Sequence, residues 1–478
     1  MLNAVDLMHH QHIEHIMNEG HPRMDRTGTG TKTSCGRMLK FNLWQKRLPF
    51  PSTKELIFRS AFFEMLWFVS GDTDIDFLKD NNVGIWDSWL IPGTARYREK
   101  VHAELNRELY GFFNLAYQAK HSTFSPVVAN GGTPEFKCMN YRVVDGIATE
   151  EECGNEMYTV AFNVHTGEAT IQLNEKARKG YDMLGWAQNA DPSKSTEHYQ
   201  ARWLCEFIGL NCQALSGGSI GKGGYGKAWR SWEDTRMVSE ADLPEMIRRG
   251  YEVVGAIPYE SDFQRGRVGR VFTVYREIDQ LANAIEKLKT NPDDRRIIVN
   301  AWNPAMIEDA ALPPCHLYYQ FWTRRLTLNE RAELLNEQEY AEFTSACNGQ
   351  GHAFTNGAAY LNEHGIPERA LQLCVLLRSA DCGLGTPFNA AQYALLAHMV
   401  AQVVGMEAEA MTVFMVDAHI YDNHQDGLEL QLTRESMPDS DPRLVLNPAI
   451  KDIDGFTYDD IRVDGYTFHP AIKMPVAV

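Results

Sequence analysis

Two consecutive prolines, Pro313 and Pro314, stand directly before Cys315, His316 and the apolar run Leu317-Tyr318-Tyr319-Gln320-Phe321. Proline fixes its own φ and supplies no N–H, so neither residue fits inside a sheet ladder. The stretch reads as an irregular approach that becomes a strand at Cys315. Neighbouring strand residues face opposite ways, so His316 is not a base paired directly with Cys315. That argues against a Cys-His peptidase. Cysteine, as thiolate, is the strongest side-chain nucleophile near neutral pH. Alone in an apolar setting it reads first as a small buried hydrophobe. Its company elsewhere in the chain has to decide.

With 478 residues, 44% of them apolar, the chain has material for a large core and two or three domains. A net charge of −17 argues against duplex nucleic-acid binding, which requires a basic face. It leaves room for a small anion held by a local arginine cluster. Nine cysteines, an odd number without a C-x-x-C pair, suit a reducing cytoplasm better than a disulfide framework. No apolar run reaches the ~20 residues of a membrane span, and the start is not a signal peptide. The expected location is cytoplasmic, or the host cytoplasm for a viral protein.

In chain order, residues 4–19 form an apolar helical face that Gly20 stops. Asp25-Arg26-Thr27-Gly28-Thr29-Gly30-Thr31 is a loop able to approach phosphate, or simply a turn. Neither this loop nor Ser216–Lys227 meets the P-loop pattern, which excludes a P-loop nucleotide kinase. Ser52-Thr53-Lys54-Glu55 reads as a capping box opening a buried helix that ends at Gly71. Glu64 inside it reads equally as a structural hydrogen-bonded carboxylate and as a proton carrier. Trp86 and Trp89 suit either a core or a wall for a flat heterocycle.

Residues 92–224 read as a folded α+β insertion. An amphipathic helix is expected over 97–120, a hairpin over 158–173 and further helices over 175–188 and 196–214. Its Cys138, Cys153, Cys205 and Cys212 lack metal-site spacing, and no metal is expected. A helix follows, stopping at Asn291-Pro292, and then Arg295 and Arg296 open the strand 297–300. Paired arginines are either surface charge or two-pronged anion donors. A second insertion, irregular and rich in Asn, Glu and Gly, covers 324–368. The strand 371–377 then delivers Arg378, Ser379 and Asp381, and Asn389 begins a long buried helix through Val404. A strand over 411–416 ends at Asp417-Ala418-His419-Ile420-Tyr421. Ligand groups gather where strands of open sheets end.

In order and wording the chain resembles the thymidylate synthase family. The matching motifs are DRTGTGT (25–31), ELIFRSAFFEMLWFVSGDT (55–73), IWDSW (85–89), YGKAWR (225–230), DRRIIVNAWN (294–303), LPPCH (312–316), RSADCGLGTPFN (378–389), DAHIYDNH (417–424) and VDGYTFHPAIKMPVAV (463–478). They cover roughly 300 of the 478 residues, everything outside the two inserts. The resemblance implies an α+β fold, with a mixed sheet and surrounding helices formed by 1–91, 225–323 and 369–478.

It also implies a set of roles. Cys315 would attack C6 of dUMP, and 5,10-methylenetetrahydrofolate would supply a one-carbon unit to C5. Arg26, Arg378 and Ser379 would hold the phosphate, with Arg295 and Arg296 contributed by the second subunit of a homodimer. Asn389 would select uracil over cytosine, since its amide can donate to O4 and accept from N3–H. His419 and Tyr421 would contact the sugar. Glu64, His316 and Tyr225 would move protons around O4 and C5. Trp86, Trp89, Leu312, Asp381, Leu384, Gly385 and Phe388 would line the folate side, Asp381 also facing the nucleotide. Pro475 to Val478, Val476 and Ala477 included, would close over it.

Two positions depart from the family pattern. Leu377 stands where glutamine is usual and Val416 where glycine is usual. Hydride from the folate gives dTMP and dihydrofolate, whereas water gives 5-hydroxymethyl-dUMP and leaves tetrahydrofolate. The altered Leu377 and Val416 and the insert at the rim fit a water-admitting hydroxymethylase of viral nucleotide metabolism, whereas the retained Trp86 and tail lean slightly toward dTMP. A catalytically silent scaffold acting through the inserts is the reading of another class, and the complete reactive set speaks against it.

Overall fold

Asn3 starts the fold. Its side chain accepts the N–H of Asp6 at 2.8 Å, a contact that satisfies one orphan donor of a helix start. Helix α1 (Ala4–Glu19) follows and stops before Gly20 as the sequence predicts. The computed structural model describes residues 1–25, 27–91, 139–144, 147–152, 158–163, 168–173, 218–262, 267–347 and 353–476. The chain divides into two units, Met1–Thr73 with Ile220–Val478, and Asp74–Ser219.

In the larger unit, β1 (His21–Arg23) and β2 (Thr31–Asn42) precede α2 (Phe58–Ser70). The capping box expected at Ser52 does not form, and the helix starts six residues later. Asp6 has taken those groups instead. Its carboxylate accepts the N–H of Ser52 at 2.8 Å and of Thr53 at 3.3 Å, and the hydroxyls of Ser52 and Ser436 at 2.5 Å each. A buried carboxylate demands such donors, and that demand overrides a local cap. Residues 61–69 of α2 are all buried. The helix ends at Gly71, whose φ of 81° suits glycine and whose Cβ would press on Arg230 at 2.8 Å.

The smaller unit contains α3 (Asp76–Asp80) and two antiparallel hairpins, β3 (Met139–Val144) with β4 (Ile147–Glu152), and β5 (Tyr158–Asn163) with β6 (Glu168–Leu173). The second is the hairpin expected from alternation, and its turn lies outside the described residues. The first escaped notice because Glu150, Glu151 and Glu152 break the apolar pattern. The helices expected over 97–120, 175–188 and 196–214 also lie outside the described residues, as do Cys138, Cys153, Cys205 and Cys212.

The larger unit resumes with α4 (Tyr225–Arg230), β7 (Trp232–Ser239), α5 (Leu243–Arg248), β8 (Glu252–Asp262) and β9 (Arg267–Ile278). These strands form a three-stranded sheet in the order β7-β9-β8, around a small core of Val238, Tyr251 and Val274. Its charges pair across strands, which is why no alternation betrays it. Arg276 meets Asp234 at 3.3 Å and lies over the Tyr251 ring at 4.4 Å. Helix α6 (Gln280–Thr290) begins at the Asp279 cap and stops before Asn291-Pro292, as expected.

β10 (Ile298–Asn300) and β11 (His316–Arg325) lead into the segment expected to be irregular. It is largely helical instead, with α7 (Leu328–Ala332), α8 (Glu337–Cys347) and α9 (Ala353–Glu363). Thr327 and Glu330 cap α7 reciprocally. The buried Arg331 ties the segment back, donating to the carbonyls of Pro367 at 3.0 Å and Ile366 at 2.7 Å and to Asn362 at 2.7 Å. A polar composition concealed the helices.

β12 (Arg369–Asp381), α10 (Gly385–Val404), β13 (Glu407–Tyr421), α11 (Gln425–Leu432), β14 (Arg443–Leu446) and β15 (Ile461–Asp464) complete the order. The main sheet runs β1-β2-β13-β12-β11-β10. Its neighbours are antiparallel except β12 and β13, whose parallel pairing requires the crossover that α10 provides. The sequence placed the end of β13 near Val416, but the strand continues through Tyr421, paired with β2. On one face the sheet packs against α10. On the other, Met38, Phe414, Leu376 and Tyr318 lie side by side across four strands. Ile298, Trp322 and Val416 are exposed around that row, and Met38 itself is 56% exposed. Among the described residues no helix is long and apolar enough to cross a membrane.

Candidate active site

Cys315 sits at the mouth of β11, where the two prolines were expected to put it, half-buried. Its backbone is held from two sides. The Tyr225 hydroxyl, from the start of α4, accepts the Cys315 N–H at 2.6 Å and the His316 N–H at 3.4 Å. From β12, the Arg378 guanidinium donates to the carbonyls of Pro314 at 2.8 Å and Pro313 at 2.7 Å, and the Arg378 N–H to the Cys315 carbonyl at 2.8 Å. The proline carbonyls are ready acceptors because no ladder uses them. Trp302 lies beneath the guanidinium at 6.0 Å. Burial, then the neighbouring Cys315 and Glu64 charges, push ionisation of Tyr225 well above its usual range. The phenol therefore stays neutral.

Three polar residues of α10, Asn389, Gln392 and Tyr393, recur at i, i+3 and i+4 and so share one helix face. Tyr393 Oη and His316 Nδ1 lie 3.0 Å apart, and Asn389 hydrogen-bonds the same imidazole. Burial lowers the His316 pKa to about 4, with the Arg378 charge adding to the effect and the Asn389 bond opposing it. His316 is thus a neutral imidazole, suited to relaying a proton rather than holding a charge. Gln392 Nε2 donates to Glu64 Oε2, reaching across to α2. Cys315, Tyr225, His316, Asn389 and Glu64 are therefore brought together by β11, α4, α10 and α2.

The parallel register sets Ser379 opposite Asp417 and Asp381 opposite His419. This carries the end of β12 to the strand bearing His419 and Tyr421, whose rings meet edge to face at 5.0 Å. Asp25 orders the glycine loop, accepting from the N–H groups of Thr27 at 2.9 Å and Gly30 at 3.1 Å. The Gly30 carbonyl accepts the Asp422 N–H at 3.1 Å, which anchors the loop at the end of β13. Arg26 itself lies outside the described residues. Arg295 is exposed, and the Arg296 side chain, 82% exposed, is braced by Asp294 at 3.0 Å. Both lie on the run leading into β10, where the Arg295 carbonyl accepts Gln320 Nε2 of β11 at 2.8 Å.

Asp381 already has a task. Its carboxylate accepts the N–H groups of Gly383 and Leu384, both at 2.9 Å, and of Gly385 at 3.2 Å, capping α10. These bonds, with His424 Nδ1 at 3.3 Å, outweigh desolvation and lower its pKa. Lys54, buried, donates to the Gly383 carbonyl. The tail is fastened here too, since His424 Nε2 contacts the Pro475 carbonyl at 2.7 Å and Met474 is buried. A Cβ on Gly383 would strike His424 Nδ1 at 2.6 Å and Met474 Sδ at 3.0 Å, so only glycine fits. Val476 is exposed and Ala477 lies outside the described residues. Leu384, Gly385 and Phe388 are half-buried at the start of α10, and Leu312 is half-buried just before Pro313. Trp86 and Trp89 belong to the smaller unit, where their indoles meet edge to face at 6.1 Å.

Gln392 and Tyr393 were not singled out from the sequence, and neither was the backbone grip of Arg378. The available signal was the i, i+3, i+4 spacing of Asn389, Gln392 and Tyr393 in a largely apolar helix. Leu377 is fully buried and pairs across strands with His316, whereas Val416 is 46% exposed on the opposite face of the sheet. The family model described as thymidylate synthase matches residues 8–478 of the chain.

Proposed function

The chain belongs to the thymidylate synthase family, whose members transfer a one-carbon unit from a folate to dUMP; from that premise we propose that it converts dUMP to dTMP. The chain is accordingly a one-carbon transferase. The observation that carries the finer proposal is the double hold on Cys315, by Tyr225 at its N–H and Arg378 at the two preceding carbonyls. A nucleophile fixed this way is pre-oriented for attack. The Cys315 thiolate adds to C6, and the electron pair moves toward O4 and makes C5 nucleophilic. C5 bonds the one-carbon unit and loses its proton, that carbon's bond to the folate nitrogen breaks to leave an exocyclic methylene, and addition of hydride to it expels the thiolate from C6 and restores the ring. The folate supplies the one-carbon unit and then the hydride that yields dTMP and dihydrofolate.

Asn389 and His316, linked to each other, face O4 and N3 in this scheme, with Glu64 completing the proton path. Reduction rather than hydration is favoured by the fastened tail, whose Pro475 carbonyl meets His424 Nε2 at 2.7 Å. A homodimer in which Arg295 and Arg296 reach the other subunit's phosphate accounts for two neighbouring exposed arginines. It also accounts for the apolar row of Met38, Phe414, Leu376 and Tyr318 on the outer sheet face.

Incubation with dUMP tritiated at C5 and methylenetetrahydrofolate should release tritium to water. No release by the wild type, or undiminished release by Cys315→Ala, refutes the mechanism. Chromatography of the nucleotide, with absorbance detection of dihydrofolate, separates dTMP from 5-hydroxymethyl-dUMP.

A further inference from the structure

We propose that Gln392 is a positioning residue for this transfer, holding the Glu64 carboxylate ionised and aimed from α10; the role rests on Glu64 carrying protons in the proposed reaction. The Gln392 side chain is fully buried, and its Nε2 donates to Glu64 Oε2. The orientation is dictated by chemistry. A carboxylate only accepts, so the amide must turn its N–H₂ toward Glu64 and its oxygen away. Turned away, Oε1 has no hydrogen-bond partner among the described residues. An unmet buried acceptor destabilises the fold.

The neighbours Ala390, Ala391, Ala394 and Leu395 are all buried and apolar, so methionine or leucine at 392 would avoid that cost. What the glutamine contributes is a charge-assisted hydrogen bond to the single acidic residue in the sequence of α2. Its place in the helix strengthens the assignment. Asn389 and Tyr393 on the same helix face bind His316, so one rigid element fixes both proton-handling groups at once. A donor to the ionised carboxylate favours the charged form. Removing it lets protonated Glu64 persist to higher pH, which moves the acid limb of turnover upward.

Gln392→Met keeps nearly the same length and lacks the donor, and it is to be made in the full chain. Infrared difference titration follows the carboxyl band of Glu64, identified by its loss in Glu64→Gln. The proton affinity of Glu64 should rise about tenfold, and kcat for C5-proton release should fall by up to about tenfold on the acid limb of its pH profile, with Kd for dUMP within about threefold of wild type. An unmoved titration overturns the proposal, and so does a moved titration with unchanged kcat. A purely structural role would lower the melting temperature and leave the titration where it was. If Gln392→Met does not fold, Gln392→Asn, a methylene too short to reach Glu64, is measured in the same way. If the wild type releases no C5 proton, the dTMP reading fails, and the infrared titration alone still decides whether Gln392 governs Glu64.

Discussion

Acidification from about pH 8 to about pH 5.5 should remove several kcal/mol of stability through four imidazoles that the fold buries neutral. His9 and His316 have pKa values lowered to about 4, and His12 and His398 to about 3, in each case chiefly by burial. The nearest charges only modulate this. Asp6 pulls His9 back up, while Arg37 and the other helix histidines push His12 further down. His9 Nε2 and both ring nitrogens of His12 have no hydrogen-bond partner among the described residues, so the cation would find no compensation.

The sign follows from proton counting. Below about pH 6.5 an unfolded histidine binds a proton that the folded one refuses, so stability falls with pH until the folded pKa is reached. At about pH 5.5 each group contributes about 1.4 kcal/mol of loss, and the four together about 5–6 kcal/mol. That is a large share of the ~5–15 kcal/mol typical of a folded domain. Urea unfolding followed by tryptophan fluorescence across this range measures the slope, and His12→Leu should remove about a quarter of it. A slope no steeper than one histidine supplies, or one unchanged by His12→Leu, refutes this account.

Arg378→Lys keeps the charge but loses the two-pronged hold on Pro313 and Pro314, so kcat/KM should fall about 100-fold and alkylation of Cys315 should slow. Alkylation at the wild-type rate contradicts a positioning role for the guanidinium. If Arg295 and Arg296 serve the opposite subunit, Cys315→Ala and the double variant Arg295→Ala/Arg296→Ala, each inactive, should regain about a quarter of wild-type activity when refolded together. Failure to regain any places the phosphate contacts within one subunit.

What the sequence made legible was local. Pro313-Pro314 before a strand, Gly71 after a buried helix and Asn291-Pro292 after another each act through their own backbone, and each appears where expected. The capping box at Ser52 failed because Asp6, 46 residues away in the chain, claims its donors. The full lengths of β2 and β13 depend on each other rather than on alternation, and β7 to β9 are pinned by cross-strand charges that resemble surface noise. Among the groups around Cys315, the motif residues were visible. Gln392 and Tyr393 were not, because a buried helix gives no sign of what its few polar side chains face.

Strand β2 also has a history during synthesis. It leaves the ribosome early, but the strand that covers its long edge, β13, begins about 365 residues later. At roughly 5–20 residues per second, that interval is on the order of 20–70 s. Through it, a twelve-residue strand presents open ladder groups to any passing extended chain. Lys32, Arg37 and Lys40 are spaced along that strand, and positive charge on an unpaired edge repels another copy in the same state. These three side chains thus place positive charge along the edge of β2 that stays open until β13 is made.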